Sequence, residues 1–492
     1  MSDTPRGSQW KTLDRDLNRI SQVEYATAYV ARPLVAPGIA LAFIVLAGIA
    51  AAVFFGQMPV NLVVVSAAVF GAYMAINIGA NDVANNMGPA VGANALTMGG
   101  AILIAAIFES AGALLAGGDV VSTIAKGIVA PDAVTSPEVF VWAMMAALIS
   151  SALWVNLATW LGAPVSTTHS VVGGVVGAGI AAASLSAVNW PGMGAIAASW
   201  VISPLLGGAI AAAFLAFIKY RIIYRDDKIA AARVWVPVLV AVMAGTFAAY
   251  LALKGLKNLI RIDLGTALLI GLGLGVLTWG ITRPLIRRQS EGMENRNKSL
   301  KTLFSLPLVF SAALLSFAHG ANDVANAVGP LAAIVHATEY GDFADKVAIP
   351  TWVMVIGAFG ISFGLFLFGP KLIRMVGSQI TKLNPMRAFC VALSAAITVI
   401  VASWLGLPVS STHIAVGGVF GVGFFREWHM ERRLRQMSTI PEVKRIAKEE
   451  RRRRKLVRRS HFLTIVAAWV ITVPAAAAMS AVIFLILHAL VG

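Results

Sequence analysis

Thirteen apolar runs dominate the chain, at about 34-55, 60-80, 97-117, 138-161, 166-185, 193-218, 234-253, 264-282, 303-320, 348-368, 386-406, 408-425 and 461-490. A helix needs roughly 20 apolar residues to cross about 30 Å of hydrocarbon. Inside a bilayer every backbone N-H and C=O must be satisfied within the protein, so runs of this length fold as helices. With 58% hydrophobic and 13% charged residues, a water-soluble globule is excluded. The expected fold is an all-α, multi-pass integral membrane protein of about 12-13 transmembrane segments, in a plasma or bacterial inner membrane. Runs that touch at Pro164 and Pro408 suit re-entrant hairpins as well as full crossings.

The net charge of +16 does not signal nucleic acid, because the excess sits in a few loops. The 426-459 loop holds 14 Lys or Arg against 5 Glu. The positive-inside bias puts this loop in the cytoplasm near anionic lipid, together with the N-terminal tail 1-33 and the 219-233 and 283-301 loops. The acidic-leaning loops 118-137 and 336-347 then lie outside. The run at 34-55 is too long for a signal-peptide core and is expected as a retained extra helix. Cys390 is the single cysteine, is expected to be buried, and forms no intrachain disulfide.

Two motifs recur in the same order. "GANDVANNMGP" (79-89) matches "GANDVANAVGP" (320-330), and "WLGAPVSTTHSVVGGVVGAG" (160-179) matches "WLGLPVSSTHIAVGGVFGVG" (404-423). "AASWVIS" (197-203) echoes "VAAWVIT" (466-472). The repeats cover 60-218 and 303-490, with a linker at 219-302 that carries two further helices. Each repeat has five segments, an odd number, and the basic loops start one repeat outside and the other inside. Inverted repeats of this kind are a recurring construction of secondary transporters, in which one central site faces each side in turn.

The first motif carries Asn81, Asp82 and Asn85, matched by Asn322, Asp323 and Asn326, and each set ends in Gly-Pro. Asn and Asp favour helix N-caps, so a broken helix is expected at both places, with N-H groups suited to an anion and oxygens suited to a hard cation. The second motif adds hydroxyl donors at a helix start: Ser166, Thr167 and Thr168, and Ser410, Ser411 and Thr412. His169 and His413 are candidates for proton relay or for hairpin support. Carboxylates in the membrane are costly and are rarely kept without function. The motifs hold no Arg or Lys, so an anion beside Asp82 and Asp323 needs an accompanying cation or proton.

The paired "GANDVAN" and "P-V-S-[ST]-T-H" motifs resemble the inorganic phosphate transporter (PiT) family. That resemblance implies phosphate uptake coupled to Na+ or H+, an inverted-repeat fold that is often dimeric, and no enzymatic cofactor or resident metal. It implies that Asn81, Asn322, Ser166, Thr167, Thr168, Ser410, Ser411 and Thr412 hold phosphate, while Asp82, Asp323, Asn85 and Asn326 serve the coupling cation. Glu109 resembles a further acidic position of the family, and its repeat counterpart is apolar, near Ile361. Sodium-coupled members carry another acid where this chain has Ala392, so proton coupling is the expectation, including co-transport of a metal-phosphate complex.

Three other readings have weaker support. A hydrolase built on Ser166, His169 and Asp82 would need one organised site, whereas the Ser-His pair occurs twice. A channel needs no inverted symmetry. A sulfate or other oxyanion permease of the same fold is the main alternative. The glycines of "GLGLGVLTWG" (271-280) lie inside an apolar run and are packing residues, not a nucleotide loop.

Overall fold

The computed structural model describes residues 34-53, 61-130, 133-161, 165-255, 262-340, 349-375, 383-437 and 459-491. The 1-33 tail, Pro164 and the 438-458 part of the basic loop lie outside the described residues. After the extra helix α1 (Leu34–Val53), the first repeat contains α2 (Asn61–Asn81), α3 (Val83–Gly92), α4 (Met98–Ala116), α5 (Gly118–Lys126), α6 (Pro137–Leu161), α7 (Thr167–Ala182) and α8 (Trp190–Ile218). The linker contributes α9 (Lys228–Tyr250), α10 (Leu264–Gln289) and the short α11 (Asn297–Leu303). The second repeat contains α12 (Ser305–Tyr340), α13 (Thr351–Met375), α14 (Pro385–Trp404), α15 (Ser411–Met437) and α16 (Arg459–Val491).

Among the described residues, eleven helices are long and apolar enough to span a bilayer. The two remaining runs of the thirteen are those that touch Pro164 and Pro408. One is the 16-residue α7. The other begins α15, whose later turns are charged from Arg426 onward. Neither qualifies as a full apolar crossing, as expected of half-crossing hairpins.

The second "GANDVAN" motif departs from expectation, because it lies inside the continuous helix α12 and not at a break. Only the first motif interrupts a helix, at Asp82, and that interruption is slight. Asp82 keeps near-helical angles (φ -91, ψ -33) and makes no side-chain cap. Its N-H still reaches Ile78 O at 2.9 Å, and Asn85 N-H turns to Asp82 O at 3.0 Å. The Asn and Asp side chains bond to other helices and so do not compete with their own backbone.

Packing is reciprocal between the halves: α2 lies against α13 as α12 lies against α4, and α7 lies against α16 as α15 lies against α8. The closest approaches are exchanged as well. A Cβ on Gly79 would sit 1.9 Å from Ile361 O, and one on its counterpart Gly320 would sit 2.1 Å from Glu109 O. Only glycine allows backbones this close. The counterpart hydroxyls of Ser110 and Ser362 meet each other at 2.7 Å.

α12 is the innermost helix, with 89% of its apolar window buried, whereas α10 has 17% and lines the periphery. The described parts of the basic loops gather at one end. There Tyr224 Oη lies 2.6 Å from His429 Nε2, Lys228 N-H donates to Asn295 Oδ1 at 3.0 Å, and Arg233 Nε donates to Ser290 Oγ at 2.6 Å. At the opposite end Lys254 pairs with Asp119.

Gly79→Ala and Gly320→Ala are each expected to destabilise the protein by at least about 1–3 kcal/mol through overpacking against backbone. Gly273→Ala is the control, since its Cβ would meet nothing within 4 Å. Thermal unfolding of the purified variants in detergent checks this: melting points fall for the first two and hold for the third.

Candidate functional site

The two acids converge. Asp82 and Asp323, 2% and 1% exposed, come from different halves of the chain. One ligand atom each from Asp82, Asp323 and His319 lie within 4.8 Å of one another. α7 and α15 start at this point, because Ser166 Oγ accepts the His169 N-H at 3.1 Å and Ser410 Oγ accepts the His413 N-H at 3.4 Å. Those two serines cap the helices and hold the hairpins.

The next residues of each hairpin turn toward the acids. Thr167 Oγ1 donates to Asp82 Oδ2 at 2.7 Å, and Thr412 Oγ1, from the other half, donates to Asp82 Oδ1 at 3.3 Å. Ser411 makes a longer contact of 3.5 Å with Asp323 Oδ2. The amides cross between halves. Asn85 Nδ2 donates to Thr412 Oγ1 at 2.9 Å, while Asn326 Nδ2 donates to Thr167 Oγ1 at 3.1 Å and Thr168 Oγ1 at 3.2 Å. Thr168 itself donates to Val409 O at 3.0 Å, tying one hairpin to the other.

Asn81 and Asn322 stand to the side of this cluster. Asn81 Nδ2 donates to Thr159 Oγ1 at 2.8 Å, and Asn322 Nδ2 donates to the counterpart Ser403 Oγ at 3.0 Å. Both amides brace the hairpins. His169 and His413 meet each other across the two halves with ring centroids 4.6 Å apart, and His169 also packs on Trp200.

Glu109 is fully buried. Its Oε2 lies 2.9 Å from His319 Nδ1, and its Oε1 accepts from Asn86 Nδ2 at 3.0 Å. His319 Nε2 lies 3.0 Å from Asp323 Oδ2. A line of groups therefore runs from Asn86 through Glu109 and His319 to Asp323.

Reasoning from the repeats missed Asn86 and His319, because it looked for what the halves share. Their counterparts are Ala327 and Ile78, and that of Glu109 is Ile361. The signal lay in the differences: these three polar residues, which have no polar counterpart in the other repeat, are joined through Glu109.

Hydroxyl and amide donors surround the centre, which suits an oxyanion. Among the described residues, the buried Asp323 Oδ1 and Asn326 Oδ1 have no hydrogen-bond partner. Both are acceptors, and hard cations take oxygen ligands. The hydroxyl hydrogens of Thr167 and Thr412 go to Asp82 and that of Thr168 to Val409 O, so these groups meet an anion by turning from those partners, while the Asp323 and Asn326 oxygens can meet a cation as they stand.

Comparison with known proteins agrees. The pattern that defines the phosphate transporter family matches residues 78–480. A protein of Helicobacter pylori named "Putative phosphate permease" is 51% identical over 428 residues, covering 86% of this chain and 80% of that protein. A protein of the same name from Pyrococcus abyssi is 38% identical over 422 residues, covering 85% of this chain and 96% of its own. A solved structure described as "The sodium-dependent phosphate transporter" is 34% identical, with a TM-score of 0.77 over 87% of this chain and all of the other. These relatives are transporters and permeases, not enzymes. With eleven apolar helices and a family match over most of its length, this multi-pass membrane protein belongs to the phosphate transporter family.

Proposed function

We propose that the chain imports inorganic phosphate by symport with a cation, through alternating access of one central site. The observation that carries this reading is the convergence of Asp82 and Asp323 in the protein interior. Their motifs contain no Lys or Arg. An oxyanion beside two ionised acids in a low-dielectric site would be strongly repelled. Binding becomes favourable when positive charge arrives with it, which makes co-binding obligatory.

In this reading Thr167, Thr168, Ser411 and Thr412 turn their hydroxyl hydrogens from Asp82, Val409 O and Asp323 to phosphate oxygens, with Asn85 and Asn326 orienting them. Asp82, Asp323 and the free acceptor of Asn326 hold the cation. Ser166, Ser410, Asn81, Asn322, His169 and His413 keep the hairpins in place. Glu109 and His319 set the charge beside Asp323. The exchanged contacts between halves support inverted repeats, whose alternative arrangements would open the site to each side. The basic end is assigned to the cytoplasm by the positive-inside bias.

The proton is the coupling ion that the sequence favours, since Ala392 stands where sodium-coupled members carry an acid. Sodium is the second reading, supported by the 34%-identical solved relative, which is sodium-dependent by name. Phosphate is favoured over sulfate because a protonated oxyanion can donate a hydrogen bond to Asp82 or Asp323, which sulfate at neutral pH cannot.

Asp82→Asn and Asp323→Asn are each expected to abolish uptake into proteoliposomes, a loss of at least about 100-fold, while the variants elute as folded protein. Uptake at the wild-type rate in either variant removes that acid from the cation role. Imposing a pH gradient and a sodium gradient separately on wild-type proteoliposomes identifies the coupling ion. Accumulation of labelled phosphate is expected with the pH gradient. Accumulation with sodium alone reverses the assignment, and equal uptake with neither gradient contradicts symport.

A further inference from the structure

Two arginines come together at the basic end without an acid between them. Arg387 is the third residue of α14, and Arg426 lies where α15 runs out into the basic loop. α14 starts at this end, where its Phe389 packs on Phe304 after α11, whereas α15 starts at the centre, so the two helices run in opposite directions. They pack on each other, and a Cβ on Gly418 would sit 3.1 Å from Ser394 Oγ and 3.3 Å from the Val391 side chain. Arg387 lies seven residues before Ser394, and Arg426 lies eight after Gly418. That is about two turns in each case, which brings both arginines to the basic end of one seam. Both are half-buried, and their charges are close enough to repel.

Several cations nearby are matched. Lys219 lies over the Phe425 ring, Arg221 over Trp235 and Arg432 over Trp428, and Arg233 donates to Ser290. Among the described residues, the guanidinium groups of Arg387 and Arg426 have no ion pair, hydrogen bond or aromatic face. Glu427, next to Arg426 in the chain, pairs with neither, and the 376-382 segment before α14 contains no Asp or Glu. Arg387 also stands in the first turn of its helix, the end at which a cation is disfavoured. Asn384 Oδ1 already caps that turn by accepting the Arg387 N-H at 3.0 Å, so the unmatched group is the side chain and not the helix end.

Two like charges half-buried side by side are costly until an anion joins them. We infer that Arg387 and Arg426 form a binding site for a phosphate oxyanion, free or in a lipid head group, at the basic end of the α14–α15 seam. Each guanidinium fork can hold two oxygens of a tetrahedral phosphate, a match that lysine does not reproduce. The positive-inside bias assigns this end to the cytoplasm, where both sources of the group occur. Exposed Phe424 and Trp428 flank Arg426 and suit the boundary of an anionic leaflet. The site is distinct from the central cluster, and its occupancy does not depend on the transport reading above.

Thermal unfolding of the full-length protein, purified in neutral detergent and stripped of lipid, tests this. Inorganic phosphate or phosphatidylglycerol is added at constant ionic strength, with chloride as the reference. Phosphate bound at the centre stabilises wild type and variants alike, so the difference between them reports the arginine pair. From at least one addition, wild type is expected to gain about 3 °C or more beyond Arg387→Gln/Arg426→Gln. An excess gain from inorganic phosphate identifies a free-anion site, and one from phosphatidylglycerol alone identifies a lipid site. Arg387→Lys/Arg426→Lys keeps the charges but loses the forks and is expected to keep less than half of the excess. Equal gains in wild type and the glutamine variant for both additions overturn the inference. Where that variant does not fold, equal gains in wild type and the lysine variant overturn it.

Discussion

Two carboxylates buried within hydrogen-bonding reach of the same small space are the constraint on which the rest of the structure depends. Ionised and alone, Asp82 and Asp323 would repel each other and suffer the full cost of leaving water. The fold answers locally, with hydroxyls from both hairpins on Asp82 and with His319 beside Asp323. It leaves the answer incomplete, because buried acceptors near Asp323 remain without donors. Asp82 takes one hydroxyl from each half, while the contacts of Asp323 come from its own half. The exchanged contacts of Asn85 with Thr412 and of Asn326 with Thr168 make the site a joint product of both halves.

Internal symmetry organises the scaffold, and departures from it carry direction. Gly79 and Gly320 let α2 and α12 approach α13 and α4 to the same depth, so the halves are wedged together by equivalent joints. The polar line Asn86–Glu109–His319 occurs only once, on one side of the centre. A transporter that were fully symmetric would treat its two sides alike. In the proposed cycle, charge placed on one side of the centre gives each half-cycle its own energetics.

Much of this was legible in the sequence, for identifiable reasons. Membrane spans follow from composition alone, and the repeats were legible because Asn81, Asp82 and Asn85 keep identical spacing in Asn322, Asp323 and Asn326. The convergence of the acids followed from matching contexts. The break expected in α12 was not found, because cap propensity describes what an Asn or Asp does when its partners are local. Here the partners lie on other helices. Asn86 and His319 escaped notice because a single histidine at the edge of a motif carries no periodic signal. Its importance comes from Glu109, which is 210 residues away in the chain and 2.9 Å away in space.

The central claim is that the site accepts an oxyanion only in company with positive charge. By linkage, the affinity for phosphate must then rise with cation activity, and the affinity for the cation must rise equally with phosphate. Calorimetric titration of the purified protein with phosphate, at stepped pH without sodium and at stepped sodium at fixed pH, measures this directly. The account predicts that phosphate affinity climbs along one of these axes and vanishes when the cation is withdrawn. Phosphate binding of constant affinity along both axes would contradict it.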